Sequence, residues 1–315
     1  MSETYHVRCL SRVMSPITHM DRAEGNEALI AREPVVTPAG VRYLPRLSGN
    51  ALRHRMVREP LARYVATRWG LEGKLTLRQA NFLFHGGTLS KSNARLDLSA
   101  IERVYRLFPS VHLLGGCLPD AILPGGMSAL FGVLVCRENA ERIRKLVPDG
   151  VDVPGNLRSA ESFIGGYQYT RSDAARRGIV QPATEGDTES PGDSSLMIFS
   201  GQSVCVGAEF VHGFILQHVS ILDLGALLLA LDLWKQNGAT VGGMSARGHG
   251  KLDTLIALDH GDGAEAVRRY VEHVDAVKDE GIAWLEETFA ALAVAEKEKK
   301  KKGKAHATAE SDGVA

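Results

Sequence analysis

The chain has 315 residues, 44% of them hydrophobic and 23% charged, the composition of an ordinary soluble globular protein with room for one large domain or two. No apolar run reaches the ~18 residues of a membrane-spanning helix, and the N-terminus, with Glu3, His6 and Arg8, lacks the apolar block of a secretory leader. The formal charge is zero, but residues 1–115 carry a net +8, residues 116–200 a net −3 and residues 201–315 a net −5. A polyanion responds to the local field, which decays over roughly 8–10 Å at physiological salt, so a neutral total leaves a nucleic-acid surface open. Cys9, Cys117, Cys136 and Cys205 are scattered without a C-x-x-C pair. That spacing fits reduced thiols in a cytoplasm and argues against a structural zinc.

In chain order, residues 5–14 alternate as a strand with Val7, Cys9 and Val13 available to a core. A long loop with Pro16, Gly25, Pro34, Pro38 and Gly40 follows. Ser48 or Asn50 then caps a helix whose stripe is Leu52, Met56, Leu61 and Val65, despite Pro60. Residues 71–115 read as a helical insertion (75–84 and 98–108) broken at Gly86-Gly87. Ala129–Cys136 is a buried strand and Glu138–Leu146 a short helix. Residues 181–195 form a long polar loop. Residues 202–219 hold one bent strand or two, and Asp223 caps an apolar helix through Leu233. A glycine-rich loop, 238–251, leads into a strand at Leu252–Leu258, and Gly263–Leu292 is an amphipathic helix before a lysine-rich tail expected to be disordered. This order suits an α+β sheet with helices on one face, with the ferredoxin-like split β-α-β arrangement as the natural candidate.

Two segments carry most of the chemistry. Gly242, Gly243, Gly248 and Gly250 clear side chains from a loop that also holds Arg247, His249 and Lys251. Gly243 and Gly248 have P-loop spacing, but His249-Gly250 intervene before Lys251 and Leu252 replaces the hydroxyl, so nucleotide hydrolysis is excluded. Residues 41–69 hold seven arginines (42, 46, 53, 55, 58, 63 and 68) against one acid, Glu59. Arginine holds phosphate bidentately, and a helix starting at 48–50 adds its positive end. Arg171, Arg176 and Arg177 beside Tyr167 and Tyr169 form a basic–aromatic patch able to stack bases. For catalysis, His19, Asp21, Glu24 and Glu27 could serve acid–base work on RNA. No hydrolase, zincin or dinucleotide motif is present, and no metal or cofactor is expected.

Read together with the glycine loop, Tyr43-Leu-Pro-Arg-Leu-Ser-Gly-Asn-Ala-Leu-Arg53 is similar to the Y-I-P-G-S-S-L-[RK]-G entry to the first helix of RAMP-superfamily CRISPR proteins. Gly242–Lys251 resembles that superfamily's C-terminal glycine-rich loop, and Leu130-Phe-Gly132 and residues 202–233 sit where the guide-RNA backbone subunits of class 1 effector complexes have theirs. Ser15-Pro-Ile-Thr-His19 most resembles the type IV backbone subunit; the likeness spans residues 5–260. The resemblance implies a modified RRM palm (1–70, 116–160 and 200–292), a helical finger (71–115), a thumb (160–200) and a disordered tail (293–315). It implies copies polymerising head to tail along a crRNA guide in a prokaryotic cytoplasm, with target nucleic acid and other CRISPR effector subunits as partners and no membrane. Carried over by motif, Ser48, Asn50 and Arg53 meet guide phosphates, Gly243, Arg247, Gly248 and His249 line the same groove, and Arg12 is a neighbour. Arg46, Lys251 and Arg171 join this RNA-binding set by charge. Arg46-Leu47 is an insertion relative to the usual motif, and the RNP aromatics of true RRMs are absent. In RNA-cleaving type III relatives an aspartate occupies the N-terminal loop; here Asn26-Glu27 stands near that place with Asp21 upstream. The resemblance therefore implies a non-catalytic RNA-binding subunit, the alternative being an endoribonuclease acting through Asp21 or Glu27.

Overall fold

The computed structural model describes residues 3–24, 27–86, 98–118, 121–153, 155–171 and 197–311. Its spine is β1, Glu3–Val13, in which Tyr5, Val7, Cys9, Ser11 and Val13 are buried while the intervening side chains are more exposed, as period-two alternation requires. β1 pairs antiparallel with β12 (Glu209–Val219) on one side and with β13 (Leu252–Leu258) on the other. Across this seven-stranded sheet the order is β13, β1, β12, β9 (Gly132–Leu134), β5 (Gly40–Leu47) and β4 (Arg32–Thr37), with β8 (Met127–Ala129) also pairing β12. β8 and β9 divide the stretch that reads as one strand in sequence. The break admits a helix start, because a Cβ on Gly49 would lie 2.7 Å from the Ala129 carbonyl oxygen and one on Gly132 2.7 Å from the Leu47 Cβ.

The segment expected to be one long loop is instead β2 (Met20–Glu24), β3 (Glu27–Ile30) and β4, the last hairpinned to β5. Pro34 masks the strand in sequence, yet β4 is the outermost strand, where a missing N–H is tolerated. A second sheet runs β10 (Ile164–Arg171), β11 (Met197–Val204), β3 and β2. Residues 202–219 thus contribute to two strands, turned at Gly207 with φ +85°. The polar loop 181–195 and most of the expected thumb, with Arg176 and Arg177, lie outside the described residues.

Ser48 caps the first helix, its hydroxyl accepting from the Ala51 N–H. The helix proceeds as α1 (Gly49–Leu52), a π-helical segment (Arg53–Arg58) and α2 (Glu59–Trp69). The wide turn accommodates Pro60: the Glu59 N–H reaches back five residues to the His54 carbonyl, relieving the clash that a proline makes with the preceding turn. The insertion folds as α3 (Leu77–Phe84), α4 (Leu98–Leu107), α5 (Pro109–Leu114) and the paired β6 (Gly116–Leu118) and β7 (Ala121–Leu123). After α6 (Ala140–Leu146) comes α7 (Ile221–Gln236), where Ser220 is the cap and Asp223, three residues on, closes a capping box with a carboxylate 2.7 Å from the Ser220 amide and hydroxyl. The expected single C-terminal helix breaks at Val277 into α8 (Gly263–Ala276) and α9 (Lys278–Ser311), Trp69 Nε1 donating to the Val274 carbonyl beside the break. α9 runs on to Ser311, through the lysine run that the sequence pattern marks as a disordered tail; alanine, glutamate and lysine are all strong helix formers.

Helices cover one face of the large sheet. Phe82, Phe108, Trp284 and Phe289 join α3 and the α4–α5 bend to α9 at centroid separations of 5.3–5.9 Å. A smaller cluster of Val133, Val135, Ile143 and Val211 holds α6 against the opposite face. α7 and α8 meet at Gly225, where an added Cβ would sit inside the van der Waals envelope of the Ala266 carbonyl and 2.8 Å from the Tyr270 Cβ. Both neighbours belong to a rigid helix, so Gly225→Ala is expected to cost about 2 kcal/mol by overpacking. A urea midpoint equal to wild type would show that the helices do not approach here.

Candidate nucleic-acid interface

The linker Met14–His19 organises the site. Ile17 exchanges backbone hydrogen bonds with Val204 at the end of β11, at 3.0 and 2.9 Å. Thr18 bridges to Gly243, whose N–H donates to the Thr18 carbonyl at 2.7 Å, and its hydroxyl lies 2.7 Å from His249 Nδ1. His19 follows: its Nε2 accepts the Ser48 N–H at 3.1 Å, and its carbonyl accepts the Ala31 N–H at 2.7 Å. Consecutive residues 18 and 19 therefore join the glycine loop to the helix entry, so segments some 195 positions apart in sequence are neighbours in space.

Accepting the Ser48 proton requires an unprotonated Nε2, and the surroundings favour that form. Burial foremost, and then the Arg46 charge, hold the His19 pKa below its ordinary value, with Asp21 opposing. His19 is thus committed to holding the helix entry, although its residue type and its proximity to Asp21 suggested acid–base chemistry. Asp21 and Glu27 are exposed on the β2–β3 hairpin. Among the described residues no group of three or more His, Cys, Asp or Glu is arranged to hold a metal ion.

The glycines serve close approach more than display. Gly242 has φ +78°, and a Cβ there would lie 2.6 Å from the Thr18 carbonyl oxygen; Gly250, at φ +89°, sits tightly against the Val241 carbonyl. Several of the loop's amides are occupied within the fold: the N–H of Gly248 donates to Ser245, that of His249 to Met244 and that of Gly250 to Pro16. The loop's charged donors for an anion are its side chains. Arg247 and Lys251 are exposed, and the Lys251 backbone is fixed by Ser15, whose hydroxyl accepts its N–H at 2.9 Å.

The other candidate residues separate. Arg46 flanks His19; its Nε donates to the Arg32 carbonyl and its guanidinium lies 4.8 Å from the Phe131 ring centroid. Asn50 is exposed in the first turn. Arg53 points elsewhere: its guanidinium donates to the Leu114 carbonyl at the end of α5, its Nε is buried without a partner, and burial followed by Arg58 lowers its pKa. Arg12 is exposed on β1 but stands opposite Glu209 in one register and Asp253 in the other, which offsets its charge. Arg171 ends β10.

Sequence reasoning missed two contributors. Phe199 stacks on Tyr169 at 5.2 Å from the neighbouring strand, and Thr18, though it falls within the Ser15–His19 resemblance, carries no contact role there. The Tyr-x-Tyr spacing at 167–169 marks one strand face, but its partner lies beyond residue 196, where no short-range signal sets register. A groove of about 1320 Å³ adjoins Arg32 but lies between the β4–β5 hairpin and α6, lined by Arg42, Tyr43, Arg137, Arg144 and Lys145 and by none of residues 242–251.

No helix among the described residues is long and apolar enough to cross a membrane. No family model matches the chain, and no curated protein matches it. Among solved structures the chain is similar to a chain of a Type IV-B CRISPR complex, with a TM-score of 0.52 and 13% sequence identity over 82% of this chain and 96% of that one. That likeness is one of fold.

Proposed function

We propose that this protein is a non-catalytic, RNA-binding backbone subunit of a CRISPR effector ribonucleoprotein, many copies of which coat one guide strand. The observation that carries the reading is the junction at Thr18 and His19, which sets the glycine loop beside the Ser48 helix entry and so brings Arg247, Lys251 and Arg46 to one region. The fold likeness supports it, as does the antiparallel order β13-β1-β12-β9, the 4-1-3-2 order of a split β-α-β palm with the first long helix and α7 as its crossovers. In this reading α3–α5 form the finger and the β10–β11 hairpin the base of the thumb. Side-chain cations contacting phosphate, with few groups aimed at base edges, suit a coat that must accept any guide sequence. Arg53 has a packing role instead, bracing the first helix against α5.

The deciding experiment is purification from cells followed by sequencing of bound nucleic acid. Short RNAs of common repeat-derived ends are expected, and protein free of nucleic acid that also ignores added RNA would end the proposal. Incubating the protein with labelled guide and target RNA and Mg²⁺ tests the non-catalytic part. Intact RNA is expected, and cleavage abolished by Asp21→Ala or Glu27→Ala would establish an endoribonuclease instead.

A further inference from the structure

We infer that the β10–β11 hairpin carries a nucleobase-stacking subsite built from Tyr169, Tyr167 and Phe199, separate from the phosphate contacts and resting on the RNA-binding reading above. Tyr167 and Tyr169 alternate onto one face of β10, and Phe199 is the register partner of Tyr169 on β11. The planes of Tyr167 and Tyr169 differ by 7° at 6.1 Å, and those of Tyr169 and Phe199 by 18° at 5.2 Å, so three half-exposed rings stand nearly parallel. Gly201 opposes Tyr167, and a Cβ there would lie 2.7 Å from the tyrosine Cζ; the glycine lets that ring lie across β11.

Two residues of the glycine loop reach this face. The Arg247 guanidinium lies over the Tyr169 ring at 3.8 Å, and His249 meets Tyr167 edge-on at 5.5 Å. A guanidinium on an aromatic face is a flat, delocalised group in the place where a base would stack, so Arg247 marks a position that planar ligands can share. Arg247 is exposed, so a base that takes the guanidinium's place on the tyrosine leaves the arginine free to turn to the adjoining phosphate. An apolar core would have hidden these rings; here three aromatics stay accessible beside a cation on a hairpin.

Stacking accepts every base, so the subsite adds affinity without sequence preference. It differs from phosphate binding in needing a base at all, which provides the test. Affinities of nucleic-acid-free protein are measured for two labelled strands of equal length, oligoriboadenylate and an abasic ribose-phosphate oligomer. Tyr169→Leu is expected to weaken oligoriboadenylate binding roughly tenfold, leaving abasic binding and the salt dependence of both unchanged. Tyr169→Phe should keep wild-type affinity. If the leucine variant does not fold, as thermal unfolding would reveal, Phe199→Leu carries the same comparison. Equal weakening of both strands would mean that the ring merely positions Arg247, and no weakening of either would mean that the rings do not meet bases; each overturns the subsite while phosphate binding stands. Wild-type protein binding neither strand would remove the RNA-binding reading as well.

Discussion

Exchanging Arg247 and Lys251 together for alanine should lower affinity for single-stranded RNA by about tenfold or more, equally for unrelated sequences. Both side chains are exposed, and the backbone beneath them is held by hydrogen bonds that the substitutions leave intact, so folding should be spared. Removing one cation from the phosphates should flatten the log–log dependence of affinity on salt by roughly 0.7, and removing both by about 1.4. Titrating labelled RNA of two unrelated sequences at several salt concentrations reads both quantities. A loss confined to one sequence would point to base readout, and an unchanged slope would place these cations away from the phosphates. Arg53→Ala provides the contrast. Its guanidinium is bound to the Leu114 carbonyl, so stability should fall while the salt slope stays near wild type.

The second large effect concerns pH. His212 lies fully inside the sheet on β12, its Nε2 2.8 Å from Ser11 Oγ, which in turn lies 2.7 Å from Thr254 Oγ1. Nδ1 is buried with no partner. Burial without an anion disfavours the imidazolium, and the pKa drops from 6.5 to about 4. A depressed histidine pKa means that the unfolded chain takes up the proton first. The contribution is complete above pH 6.5 and is lost as pH falls toward 4, amounting to about 3 kcal/mol at the acid end. His19 and His54 are shifted in the same direction, burial leading in both, and steepen the acid limb. Urea midpoints across pH 4–7 for wild type and His212→Leu test this. The difference between the two proteins should shrink by about 3 kcal/mol on acidification, whereas parallel curves would mean that His212 is protonated in the fold.

These predictions rest on features that differ in how far sequence alone could show them. Alternation exposed the face of β1, Ser48 signalled the helix start, and Leu252–Leu258 is a strand over the span expected for it. Such features depend on each residue's own backbone preference and its nearest neighbours, so they survive in a linear reading. The grouping of arginines before residue 70 and of glycines after 241 was equally plain.

Tertiary structure decided what those groups do. The amides of Gly243 and Gly250 meet carbonyls of the 16–18 linker, more than 220 residues away, and so are not left bare for a ligand. Arg53 turns inward to the Leu114 carbonyl at the end of α5, a partner 61 residues away, and Arg12 is offset by acids on two strands that only register places beside it. His19, which reads as a titratable loop residue, became a neutral acceptor for the helix entry, and Phe199 completed an aromatic face from a strand separated from β10 by the 25 residues 172–196. Chain pattern determines strongly patterned elements such as β1 and β13, since that choice is made over a few residues of backbone, whereas β2–β4 form only through pairing that the pattern does not show. Which donors remain free and which rings align is settled by packing between distant segments, where a one-residue change of register would send every side chain to the other face.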